Sequence, residues 1–161
     1  MGRSHLFGES CGHLERAFDW LNSVDIYNVF YAALDLRFAF EKIHIKHGLA
    51  SENNSNKFLK LTHKPKTLKN KLEQEFSEKI DLSSGYAFWI NGLDDKKDSI
   101  GYYLPIPDHL YTKYGELDNY LHSQWAIPIN WPDRRWQKEQ TKALFSFAEE
   151  LIPHANPKNS L

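Results

Sequence analysis

The chain has 161 residues, room for one domain with a single sizeable core and too little for two independent folding units. Hydrophobic residues at 41% and charged residues at 25% exclude wholesale disorder and a membrane-spanning composition. Twenty basic against twenty-one acidic residues leave a formal charge of -1, so any attraction to nucleic acid or anionic lipid must be local.

From Cys11 the spacing of Leu14, Phe18 and Leu21 predicts a short helix, with Ser23-Val24-Asp25 as the break after it. A long second helix follows: Ile26, Val29, Phe30, Ala33, Leu36, Ala39, Phe40 and Ile43 recur mostly at threes and fours, and helical spacing continues to about Leu49. The polar run Ser51 to Asn56 reads as a loop. Between Asn53 and Leu72 stand six lysines, Lys57, Lys60, Lys64, Lys66, Lys69 and Lys71, and no acid, so the remainder of the chain, by subtraction from -1, carries -7. Pro65 disfavours helix at Lys64, which places the third helix from about Thr67 to Ile80.

Asp81 to Gly85 is a breaker. Tyr86–Ile90 and Ile100–Ile106 then flank a polar tip and predict a β-hairpin over about 86–106, its second strand confined to an edge by Pro105 and Pro107. Helical spacing returns from Asp108 to Ser123 through Leu110, Tyr114, Leu117, Tyr120 and Leu121. Trp125 to Pro132 is too rich in proline for a helix and reads as extended. A last helix is expected from Asp133 to Ile152, with Trp136, Ala143, Leu144, Phe147, Ala148 and Leu151 inward and a flexible tail over 153–161. The fold class is therefore mainly α, one domain over 1–161 with a hairpin insertion. A single cysteine, Cys11, and an amino-terminal stretch without an apolar signal core set the expectation of a reducing, cytoplasmic location and no membrane.

The chemistry-bearing residues interrupt the second helix: Asp35, Arg37, Glu41, His44 and His47. Seven steps of about 100° bring Arg37 and His44 within about 20° of one another around the axis, roughly 10 Å apart along it, with Glu41 between them. An imidazole that exchanges protons near neutral pH and a guanidinium that grips phosphate oxygens suit attack on a phosphodiester. The same spacing equally describes a surface charge network, since Glu41 lies four residues from Arg37 and three from His44.

The segment Tyr31 to His44 resembles the core helix of HEPN-type proteins, whose signature is an arginine and a histidine separated by four to six residues, here the six between Arg37 and His44, with Asp35 before the arginine and an alanine-rich, aromatic lead-in. The resemblance implies a helical bundle that dimerises through this helix, often a metal-independent endoribonuclease of toxin or phage-defence systems with a cognate antitoxin or defence partner. On that implication His44 is the acid/base, Arg37 the phosphate clamp and Glu41 part of the site, with RNA as substrate and no cofactor. Phe38 stands where active members commonly have a polar residue, and Glu41 sets a negative charge where phosphate would lie. The six lysines, with Phe58 among them, are the expected RNA-tracking surface, or else an ordinary solvated face.

Two further classes compete. One is a catalytically inactive homodimeric binding protein; the other is a metal enzyme using His44 and His47. Glu41-Lys42-Ile43-His44 has di-iron spacing, but no second Glu-x-x-His exists, since Asn119 precedes His122 and Leu151 precedes His154 by three. No metal is expected.

Overall fold

The computed structural model describes residues 9–25, 27–50, 64–77, 86–90, 99–121 and 134–155. In chain order the elements are α1 (Ser10–Leu21), α2 (Asn28–Ala50), α3 (Pro65–Ser77), β1 (Tyr86–Ile90), β2 (Ser99–Tyr103), α4 (Asp108–Glu116), α5 (Asp118–Leu121) and α6 (Arg134–Ala155). The chain is mainly helical. None of the described helices is long and apolar enough to cross a membrane.

Asp25 sets the start of α2. Its carboxylate accepts the Tyr27 amide at 2.7 Å and its carbonyl the Asn28 amide at 3.1 Å, satisfying donors that a helix amino terminus leaves without partners. From there Val29, Ala32, Ala33, Leu36, Ala39, Phe40 and Ile43 form one fully buried face. The small alanines let α1 and α6 approach closely on either side, and α3, α5 and β1 also touch α2. Phe40 centres the core: its ring lies 4.8 Å from Tyr114, 5.2 Å from Tyr111, 4.6 Å from His44 and 6.2 Å from Phe147. Much of the aromatic content is thus spent on joining α2 to α4 and α6.

Several boundaries differ from the sequence expectation. The third helix begins at Pro65 rather than Thr67, because proline is pre-set for the first helical position, where its missing N–H costs nothing. β2 pairs antiparallel with β1, from Tyr86 opposite Tyr103 to Ile90 opposite Ser99, and stops at Tyr103; Ile106 is buried in the helical core instead. The expected helix over 108–123 is broken at Leu117, whose buried side chain sits at a turn between α4 and α5. Ala143 faces outward.

The last helix continues past Ile152 to Ala155, so residues 153–155 belong to the bundle and not to a tail. Pro153 removes one helical hydrogen bond, but His154 donates to the Leu104 carbonyl at 3.3 Å and the Cys11 thiol approaches the Ala155 carbonyl at 3.6 Å. Contacts from two other elements hold this turn. Residues 51–63, 78–85, 91–98, 122–133 and 156–161 lie outside the described residues, and with them the expected loop from Ser51 to Asn56, the end of the third helix at Ile80, the Asp81 to Gly85 breaker, the hairpin tip and the proline-rich stretch.

Phe40→Ala is expected to lower stability by about 3–5 kcal/mol, because four rings would line the resulting cavity. Urea unfolding followed by circular dichroism measures it; a loss below about 1 kcal/mol would show that the core does not centre on this ring.

Candidate functional site

Arg37 and His44 lie along one line of α2, yet they meet different surroundings. Arg37 stands at the rim with a side chain 33% exposed, whereas His44 is fully buried. The cause is Tyr111 of α4, which covers His44.

Both ring nitrogens of His44 have partners. Nδ1 lies 2.8 Å from the Phe40 carbonyl, which only accepts, so Nδ1 carries the proton and donates. Nε2, 2.7 Å from the Tyr111 hydroxyl, then accepts from it. This is a neutral imidazole satisfied inside a core. Burial drives its pKa down from 6.5 to about 4; the Phe40 carbonyl opposes that shift and the charges of His154 and Lys69 add to it. In this arrangement the imidazole is walled off from solvent.

Arg37 is held by two carboxylates. Its Nε donates to Glu41 Oε1 at 3.1 Å and its Nη1 to Asp118 Oδ1 at 2.7 Å, and its guanidinium lies 6.0 Å from the centre of the Tyr114 ring. The Tyr114 hydroxyl donates to the same Glu41 oxygen at 2.7 Å. Burial works against the Arg37 charge, but the Glu41 hydrogen bond and the surrounding negative groups hold its pKa above the ordinary value. Burial, then Glu41, pushes the Tyr114 hydroxyl above the usual phenol range. One cation against two carboxylates leaves this rim at -1 with His44 neutral, a field that repels phosphate.

The lysines divide as well. Lys64 and Lys66 are exposed and line a cleft of about 350 Å³ with Thr67, Tyr111 and Tyr114. Lys69 is mostly covered: its ammonium reaches Asp108 Oδ1 at 2.5 Å, lies 3.7 Å from Glu73 and sits 4.9 Å from the Tyr111 ring centre. Lys71 is half-buried. Lys57, Lys60 and the side chain of His47 lie outside the described residues. No three His, Cys, Asp or Glu side chains converge on one point among the described residues.

Asp35 belongs to a different cluster. Its Oδ1 lies 3.0 Å from His13 Nδ1 and 3.2 Å from Arg16 Nε, and Arg16 Nη2 lies 2.8 Å from His13 Nδ1. This partly buried group ties α1 to α2, and His13 rests on Phe38 with ring centres 5.3 Å apart. Phe38 belongs to a second apolar face of α2: Tyr27, Tyr31, Leu34 and Phe38 recur at steps of four, three and four, and all are between 40% and 49% exposed. Sequence reasoning missed Tyr111, Tyr114 and Asp118 as partners of the row, since no local spacing links residues 67 to 81 positions apart.

Comparison with family models, with curated proteins and with solved structures found no match to this chain.

The His44 geometry makes stability depend on pH. An unfolded imidazole titrates near 6.5 and the buried one at about 4, so its contribution is complete above pH 6.5 and is lost as pH falls through that interval. The loss is about 3 kcal/mol at most from this group. His154, also depressed by burial, acts in the same direction. Urea midpoints measured across this range should fall with acid and fall less steeply for His44→Gln. An equal slope in both proteins would show that His44 titrates normally.

Proposed function

We propose that this chain is a HEPN-like bundle, with the 86–106 segment as an insertion, that works as a homodimeric interaction protein and uses the Arg37, Glu41 and His44 row for structure. The observation that carries the reading is the pair of apolar faces on α2. Large apolar side chains in a row are ordinarily covered, and here Tyr31, Leu34 and Phe38 are 40% to 46% exposed. A second copy of α2 laid against that stripe covers both at once, as the resemblance implies. The sealed His44 and the doubly paired Arg37 support the non-catalytic half of the reading.

RNA cleavage through Arg37 and His44 is the second reading, favoured by one observation: the cleft holding Lys64 and Lys66 borders Tyr111 and Tyr114, the residues that contact the row. In that reading α4 must move to open His44.

Two measurements separate them. Light scattering should give the mass of two chains for the unaltered protein and of one chain for Leu34→Glu with Phe38→Glu, helical content being unchanged; a monomeric unaltered protein removes the homodimer. Incubation of varied RNA in chelator should give no cleavage. Cleavage that is present in the unaltered protein and lost in both Arg37→Ala and His44→Ala would establish the ribonuclease instead.

A further inference from the structure

A groove of about 810 Å³ runs between the end of α1 and the outer side of α6. Its apolar part is Leu21 and Phe145, edged by Val24, which is 90% exposed. One flank carries Arg134, Lys138 and Lys142, three cations at steps of four, against a single acid, Glu149. Arg134 is fixed in place: its Nη1 donates to Gln137 Oε1 at 2.7 Å and to the Val24 carbonyl at 3.3 Å. Beneath it the buried amides of Gln137 and Asn28 bond each other at 2.9 Å, and Asn28 donates to Thr141 at 3.3 Å, so the wall is preorganised. Lys138 and Lys142 are exposed and form no ion pair among the described residues.

The placement of these cations works against α6. A helix amino terminus already carries partial positive charge and favours acids, yet α6 opens with Arg134 and Arg135 and adds Lys138 one turn on; Glu139 is taken up by Arg135 at 3.3 Å, which leaves Arg134 and Lys138 with no ion pair among the described residues. Beyond the hydrogen bonds of Arg134 and the pairing of Arg135 with Glu139, these cations have no carboxylate partner among the described residues. A negatively charged occupant of the groove would gain from them directly.

We propose that the groove docks an acidic amphipathic helix of a partner protein. The cations fall about 6 Å apart along the axis, the spacing of acids at every fourth residue of a second helix. Apolar residues on the next stripe of that helix meet Leu21, Val24 and Phe145, the helix-in-groove mode of recognition. The aliphatic side chains of the lining, Leu21 and Val24, favour such a helix over duplex nucleic acid, whose bases are stacked inside and whose outer surface is phosphate and sugar. The inference rests on the reading of the chain as an interaction protein but not on the α2 stripe.

The test titrates the full chain with a dye-labelled designed peptide, helical, with glutamate at every fourth position beside a leucine stripe, and reads anisotropy at low and high salt. Binding that weakens with salt is expected, with a loss of at least about tenfold for Lys138→Glu with Lys142→Glu and binding of the matched lysine peptide by that variant. Val24→Asp should also weaken it, and Lys64→Glu with Lys66→Glu should not. Binding should persist in Leu34→Glu with Phe38→Glu, which separates this site from the homodimer face. No binding, equal binding of a scrambled peptide of the same composition, or indifference to the Lys138 and Lys142 reversal overturns the proposal. So does loss of the two-chain mass in the Lys138 and Lys142 variant, which would make a second copy the occupant.

Discussion

The structure depends on burying α2, a helix with apolar residues on two opposite faces. One face is closed inside the chain: Val29, Ala32, Ala33, Leu36, Ala39, Phe40 and Ile43 have almost no contact with solvent, and the other helices are arranged around them. The other face, from Tyr31 to Phe38, is flanked among the described residues by α1, where Trp20 stacks on Tyr31 at 4.4 Å and His13 on Phe38. These flanking rings shape the stripe without covering it. Water therefore meets three large side chains in a row, Tyr31, Leu34 and Phe38, a condition that association relieves.

The same helix explains why the Arg37 and His44 row is divided. Position around a helix is an angle, and the two residues nearly share one. Position along the axis is independent of that angle, and over roughly 10 Å the neighbourhood changes from a rim to a core. At the core end an unpartnered imidazole would be costly, and the Phe40 carbonyl and the Tyr111 hydroxyl supply a partner for each nitrogen. At the rim end Glu41 and Asp118 neutralise the guanidinium with charge to spare. The network joins α2 to α4 and α5.

Much of the helical layout was legible in the sequence because it is periodic. The buried positions of α2 and most of those of α6 follow from threes and fours, and Ser23-Val24-Asp25 marks the break before α2, whereas Pro65, expected to precede the third helix, is its first residue. The errors share a physical origin in distant contacts. The turn at Leu117 and the helical residues 153–155 are decided by packing and by partners such as Leu104 and Cys11. The burial of His44 is decided by Tyr111, and the neutralisation of Arg37 by Asp118. Phe38 is a residue of the open stripe, a role that a wheel projection shows only once the closed face is known. The lysine-rich segment was legible as charge but not as surface, since Lys69 is turned inward onto Asp108 and Tyr111.

The claim that α2 meets a second α2 is tested most directly by isotope-filtered nuclear Overhauser spectroscopy on a mixture of labelled and unlabelled chains. The account predicts intermolecular contacts among the Tyr31, Leu34 and Phe38 side chains and none from Phe40 or Ile43. Intermolecular signals absent from the stripe under conditions where its resonances are assigned, or present only from α6, would contradict it.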